Sequence, residues 1–387
     1  MQRTVLDDVQ LLLAHQAPSG AYLASPSFSQ YPFGWLRDGA FIAHALERAG
    51  ERDSAGAFHA WVARAVLSRA DDVQALLAER AAGAVPDHDR MLPARFTLDG
   101  EAEAGGAWPD FQLDGYGQWL WSLAEHARGG PLPEEVHAGA ALVTDYLSAF
   151  WDEPCYDAWE EGRTQHHTAT LASVVAGLRA AAELLDAGST RASTAAEAAW
   201  RFVLERCIMN GRFCKSVRNP AVDASLVWLA TPFALVDDAD PVFERTLARI
   251  EHDLLRRDGL LRFAADTFYG GGAWVLLTAG LAYHHARAGR AERAAELLAI
   301  AERHRDGDGA LPEQVPTDGT DPWFLHYWTR RWGPSAKPLL WSHAMVVLAR
   351  CELEAIRSGQ VPGFTRTRSD VPQGSEATMA SPSRSQE

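Results

Sequence analysis

Cysteine is scarce in this sequence, with four among 387 residues. Cys155, Cys207, Cys214 and Cys351 form no C-x-x-C pair and no staple-like spacing, which argues against a zinc framework and against a disulfide-bound scaffold. Positive charge is also short: 36 Lys and Arg face 51 Asp and Glu, for a formal net charge of -15. A chain so acidic has no basic stripe with which to neutralise phosphates, so no nucleic-acid partner is expected. Uninterrupted apolar runs of membrane-spanning length are missing, and no membrane partner is expected. The opening residues, Met1-Gln2-Arg3-Thr4-Val5-Leu6-Asp7-Asp8, lack a basic stretch followed by an apolar one. That speaks against a cleaved export signal and for a cytoplasmic protein. The adjacent His166 and His167 have no third ligand at metal-binding spacing, so neither a metal nor an organic cofactor is expected.

What the sequence does have is helix. Hydrophobic residues make up 47% of the chain, enough for a large core, and they recur at helical spacing with no regular alternation of strands and helices. The periodicity predicts helices near 5–16, 38–50, 52–71, 112–127, 133–150, 166–184, 188–208, 222–230, 235–256, 271–288, 290–305 and 338–357. Gly- or Asp-containing breaks such as Arg48-Ala49-Gly50 and Ala288-Gly289-Arg290 join many of them in pairs, the pattern of αα-hairpins. Sequential hairpins of this number suit a closed double ring. The nearly uncharged run from Gly271 to Gly280 reads as an inner helix, and the charged, alanine-rich run from Ala288 to Glu296 as an outer one. A single domain over 1–357 is expected. From Ser358 to Glu387 the periodicity gives way to Ser, Pro, Gly and charge, the composition of a disordered tail.

Tryptophan is abundant, with 14 residues. Several stand beside Asp, Glu or Arg just ahead of predicted helices. Core packing explains some. A sugar cleft needs the same combination, because pyranose faces stack on rings while hydroxyls seek charged partners. In Asp157-Ala158-Trp159-Glu160-Glu161, repulsion between adjacent carboxylates and the apolar wall of the indole both push one carboxyl towards its neutral form, as a general acid requires. Arg37 and Asp38, between Trp35 and the next helix, read either as a cap with a surface partner or as a rigid pair holding sugar hydroxyls. Trp108-Pro109-Asp110-Phe111-Gln112-Leu113-Asp114 contains more polar groups than capping explains. By position alone, Glu313 in Pro312-Glu313-Gln314 is an exposed loop acid. It also suits a base that activates water opposite Glu160, an inverting arrangement that needs roughly 6.5–9.5 Å between the carboxyl groups.

Taken together from about Tyr31 to Ala344, these motifs resemble the catalytic domain of glycoside hydrolase family 15, the glucoamylase-like inverting α-glucosidases. The resemblance implies an (α/α)6 barrel. It implies that Tyr31, Trp35, Arg37 and Asp38 close around the terminal glucose, and that Trp108, Gln112 and Asp114 form a Trp…Gln-x-Asp element of the cleft. It further implies that Glu160 is the general acid, with Glu161 the adjoining substrate-binding carboxylate beside Trp159. Arg262, Asp266 and Trp274 fall on an Arg…Asp…Trp pattern, Glu313 takes the place of the general base, and Trp341 opens the aromatic helix start that follows it. His166 and His167 replace phenylalanines common in relatives and Phe268 replaces a frequent tyrosine, so different hydrogen bonding at the pocket rim is expected.

The implied partner is a small oligosaccharide and the implied protein a monomer or weak homo-oligomer. The implied reaction releases β-glucose from terminal α-linked glucose of malto- or isomalto-oligosaccharides. An α-1,6-specific isomaltose glucohydrolase and a trehalase-like enzyme are the alternatives within this chemistry. Outside it stand a non-catalytic saccharide-binding barrel and an epimerase that uses His166, His167 or His343. The segment from Asp318 to Lys337, with Trp323, Tyr327, Trp328, Trp332, Arg330 and Arg331, either folds over the cleft beyond the scissile bond or packs on the barrel.

Overall fold

A computed structural model describes residues 5–103, 108, 110–185 and 189–359. Among them are thirteen α-helices: α1 (Val5–Ala14), α2 (Leu36–Arg48), α3 (Arg52–Leu67), α4 (Ala70–Ala81), α5 (Asp114–Ala127), α6 (Glu134–Phe150), α7 (Thr168–Leu184), α8 (Ser189–Arg206), α9 (Pro241–Leu254), α10 (Val275–Arg287), α11 (Ala291–Glu302), α12 (Pro322–Trp332) and α13 (Leu340–Arg357). A 3₁₀ helix covers Ala224–Leu229.

Neighbour relations close a ring. α2 packs on α5, α5 on α7, α7 and α10 on the 3₁₀ helix, α10 on α13, and α13 back on α2. Behind these lie α3, α6, α8, α9, α11 and α1, each against its own inner partner. The architecture is all-α, with the inner and outer pairing of an (α/α)6 barrel. Burial follows position: α2 is buried without a break from Leu36 to Leu46. The outer α9 buries only Phe243, Thr246, Ile250 and Leu254, one stripe of an amphipathic helix. Two inner helices touch through glycines, because a Cβ on Gly117 of α5 would lie 2.3 Å from the Ser173 carbonyl oxygen of α7.

The predicted twelve segments correspond to the twelve staves of the ring, with differences that have local causes. The segment predicted over 222–230 is a six-residue 3₁₀ helix: Asp223 caps it by accepting from the Ser225 amide, and Pro232, soon after its end, has no N–H to extend it. The segment predicted over 52–71 stops at Leu67, and α4 begins as a separate helix outside the ring. α12, absent from the predicted set, starts where Asp321 accepts from the Trp323 amide at 2.8 Å with Pro322 in the first turn. The region expected to be a disordered tail lies outside the described residues apart from Ser358 and Gly359. No described helix is long and apolar enough to cross a membrane.

Short strands fasten the loops at one end of the ring. β1 (Gly34–Trp35) pairs antiparallel with β2 (Arg95–Phe96) and runs directly into α2. A hairpin of β3 (Ile208–Met209) and β4 (Arg212–Phe213) follows α8. β5 (Leu255–Arg256), β6 (Gly259–Leu260), β7 (Ala273–Trp274) and β8 (Gln314–Val315) form one antiparallel sheet. Because Trp274 pairs with Gln314, the loop entering α10 and the loop carrying Glu313 are held side by side.

Candidate active site

The segments leading into α2, α7, α10 and α13 converge on a cavity of about 560 Å³. Of the residues singled out in sequence, Tyr31, Trp35, Arg37, Asp38, Trp108, Trp159, Glu160, Glu161, Arg262, Phe268, Trp274, Glu313 and Trp341 line it. Glu160 and Glu313, 153 positions apart, share this one space.

The Glu160 loop is built by Asp157. Its Oδ1 accepts the amides of Trp159 at 3.0 Å and Glu161 at 2.9 Å, and its own backbone pairs with Glu160 and Glu161. The tight turn leaves Glu160 with φ of 67°, a left-handed conformation that costs a residue with a side chain about 1–3 kcal/mol and persists only where the surroundings enforce it. Trp35 Nε1 donates to Glu160 Oε1 at 2.9 Å, and the Arg37 guanidinium lies 3.6 Å from the same oxygen.

Glu313 is held from the other side. Its amide donates to the Ala336 carbonyl and its carbonyl accepts from the Val275 amide. Tyr31 Oη donates to Glu313 Oε1 at 2.8 Å, and Ser335 Oγ lies 3.3 Å from Oε2. The sequence position suggested an exposed loop acid, yet Glu313 is only 3% exposed. Burial pushes its carboxyl up to about 7, against the hydrogen bond from Tyr31 and the charge of Arg262. Burial also raises Asp38 to about 7, opposed by Arg37. Burial likewise raises Glu161, with Arg262 opposing. The rings of Tyr31 and Trp35 meet edge to face, 5.3 Å between centroids, so one aromatic pair bridges the two acids.

Gln112, Asp114 and Asp266, expected on the cleft wall, are behind it. Arg37 donates to Gln112 at 2.7 Å and to Asp114 at 3.2 Å. Asp266 takes a bidentate pair from Arg262, which reaches Glu161 at 3.4 Å and lies 4.8 Å over the Trp274 ring. These acceptors fix the direction of two cations whose free faces point at the cavity. The indole N–H groups of Trp108, Trp274 and Trp341, three residues that line the cavity, are buried without a protein acceptor among the described residues.

The histidine substitutions act elsewhere than expected. His166 contacts the Asp152 carbonyl and His167 the Gly162 carbonyl, so both stand behind the acid loop instead of at the rim. Neither they nor His343 line the cavity, which removes the residues an epimerase reading would need. Among the described residues no cluster of three or more metal-ligating side chains is present.

Several wall residues escaped the sequence reading. Arg95 lies 3.9 Å over the Trp108 ring and 4.1 Å over Phe33, paired with Glu103 at the rim. The signal was its place opposite Trp35 in the β1–β2 ladder, which spacing alone does not reveal. Trp328, Arg331 and Trp332 of α12, which the sequence had singled out, complete the wall, while Trp323 is 65% exposed. Both uses open to the 318–337 segment are seen: these three residues line the cavity, and Trp328 and Trp332 also pack against the core.

A family model for glycosyl hydrolases family 15 matches residues 2–350. The chain belongs to glycoside hydrolase family 15. It is therefore a glycoside hydrolase of the glucoamylase type. Isomaltose glucohydrolase of Kribbella flavida is 43% identical over 349 residues, which cover 89% of this chain and 90% of the relative. A glycosidase solved in complex with glucose superimposes with a TM-score of 0.87 at 41% identity, covering 90% of this chain and 96% of the other. A bacterial glucoamylase complexed with acarbose shares the fold, with a TM-score of 0.70 at 19% identity over 90% of this chain and 55% of its own.

Proposed function

We propose that this family 15 enzyme is an exo-acting, inverting α-glucosidase that removes terminal non-reducing glucose from isomaltose and short α-1,6-linked oligosaccharides and releases β-glucose. The supporting observation is the Tyr31–Trp35 ring pair, which ties Glu313 and Glu160 to one cavity. Glu160 donates a proton to the departing glycosidic oxygen as the bond to the anomeric carbon breaks. Water attacks that carbon from the opposite face, and Glu313 takes the water's proton. Arg37, Asp38 and Arg262 hold the glucosyl hydroxyls, with Gln112, Asp114 and Asp266 orienting the arginines. The full-length likeness to an isomaltose glucohydrolase favours the α-1,6 linkage over the malto-oligosaccharide reading, and the likeness to a glucose-bound glycosidase favours glucose as the bound sugar. The cavity volume fits small ligands.

Incubation with maltose, isomaltose, panose, trehalose and dextran, with the first anomer read by proton NMR, tests substrate and stereochemistry together. Isomaltose turned over fastest with β-glucose appearing first is the expected result. Release of α-glucose sinks the inverting mechanism, and faster maltose or trehalose cleavage sinks the linkage assignment.

The α12 rings give a second expected outcome. With Trp328 and Trp332 on the wall, substituting either by glycine should change the isomaltose-to-maltose ratio of kcat/KM more than inhibition by glucose. An unaltered ratio removes α12 from specificity.

A third outcome follows from burial at Glu313. A base must be ionised, and its carboxyl is held up to about 7. The value of kcat/KM should therefore fall as pH drops through about 7, and more steeply than one proton requires where Asp38 titrates in the same range. Tyr31→Phe removes a hydrogen bond that favours the carboxylate, so the acid limb should move to higher pH. A limb that stays in place or moves down contradicts the assignment of the base.

A further inference from the structure

The strained turn at Glu160 is secured from behind by Asp157, Lys215 and Asp223, none of which lines the cavity. Asp157 Oδ1 clamps the amides on both sides of Glu160, while its Oδ2 receives Lys215 Nζ at 3.1 Å. The same ammonium reaches Asp223 Oδ2 at 2.6 Å. Asp223 in turn accepts the Trp159 indole N–H, 3.0 Å from each of its oxygens, and takes the Ser225 amide and hydroxyl of the inner 3₁₀ helix. One cation thus joins the main-chain clamp and the indole clamp that flank Glu160.

We propose that Lys215 is a positioning residue for the general acid: its ammonium, shared by Asp157 and Asp223, holds the Glu160 carboxyl at the height of the departing oxygen. The proposal rests on the assignment of Glu160 above. Lys215 is outside the cavity wall, so its part in the reaction runs through the loop. It follows β4, where the Thr168 amide at the start of α7 donates to the Lys215 carbonyl at 3.1 Å, and its ammonium lies 3.8 Å over the Phe263 ring. The backbone there is fixed independently of the side chain. Without the cation two buried carboxylates face each other, and relief comes by rotation or protonation of one, which releases the clamp that carboxylate makes. His167 does not replace it. Its Nε2 donates to the Gly162 carbonyl, and its Nδ1, 3.8 Å from Asp157 Oδ2, is beyond hydrogen-bond distance.

Two leaving groups separate a misplaced acid from a damaged enzyme. Isomaltose needs a proton on the departing oxygen, whereas α-glucosyl fluoride expels fluoride with little help from an acid and still needs water, the base and the glucose site. Lys215→Met should lower kcat on isomaltose on the order of 100-fold, the scale of about 1 Å of misplacement, with KM changed no more than about threefold. Turnover of glucosyl fluoride should fall far less. Lys215→Arg, which keeps the charge on a different head, should show the same selectivity at smaller size, and it carries the test if the methionine variant does not fold. Parallel loss on both substrates, or isomaltose turnover at the parent rate, overturns the proposal. Glu160→Gln is the reference: if its loss is not selective for isomaltose, the acid assignment itself is wrong, whatever Lys215 does.

Discussion

Glu313→Gln should lower isomaltose turnover on the order of 1,000-fold, the middle of the range for a positioned general base. The amide keeps the shape of the side chain and retains an acceptor for the Tyr31 hydroxyl, but it cannot take a proton from water. Stability should move the other way. A carboxyl that burial holds up to about 7 resists ionisation in the folded protein, so its charged form costs stability as pH rises from the unfolded carboxylate range through about 7. At pH 8 the glutamine variant, with no charge to bury, should melt no lower than the parent. Dead enzyme with undiminished melting temperature separates a chemical role from a structural one. Turnover near the parent rate, or a collapse in melting temperature that accounts for the loss, would refute the assignment.

The contrast between Glu313 and Glu160 shows how much of this site is readable before folding. The Glu160 loop announces itself, because Asp157, Trp159, Glu160 and Glu161 stand together within five residues of the chain. Glu313 has no such neighbourhood in sequence, and its short motif Pro312-Glu313-Gln314 fits an ordinary surface loop. Its burial comes from Tyr31, 282 positions away, and from the pairing of β7 with β8. The same rule covers the fold. Ring helices carry their own periodicity and were legible, including α9 with its single buried stripe. α12 has no buried residue and covers a cleft, so its apolar pattern serves a surface that only the folded ring creates. Lys215, Arg95 and Asp223 were illegible for a related reason, since each is defined by partners from other loops.

Polar groups behind the wall also fit this division between local and remote information. The family resemblance grouped Gln112, Asp114 and Asp266 with the sugar-binding residues, through the Trp…Gln-x-Asp and Arg…Asp…Trp patterns. Packing turns their side chains towards Arg37 and Arg262, and those arginines meet the cavity. A site that recognises neutral hydroxyls gains from this order. Each cation is oriented by buried acceptors before substrate arrives, so little side-chain entropy is lost on binding.

Asp8→Ala should cost about 3–5 kcal/mol, the penalty for removing one partner of a buried ion pair. Asp8 of the outer helix α1 is 1% exposed and takes both terminal nitrogens of Arg305 at 2.7 Å. It also meets His343 Nδ1 of the inner helix α13 at 2.7 Å. Since the Leu311 amide donates to His343 Nε2 at 3.0 Å, the proton of this imidazole is on Nδ1, directed at Asp8. Burial works against the Asp8 carboxylate, but His343 and Arg305 more than offset it and hold its pKa below the ordinary value of 3.8. The linked stability is thus full at neutral pH and is lost as pH falls through that lowered value. Melting temperatures of parent and variant should differ by several degrees at pH 7 and converge in strong acid. A gap that stays constant from pH 7 to pH 2 would assign the loss to packing. Because Leu311 is two residues before Glu313, the variant should also lose turnover at temperatures where it is still folded. A second substitution, His343→Gln, would then show whether the base loop is coupled to α1 through that imidazole.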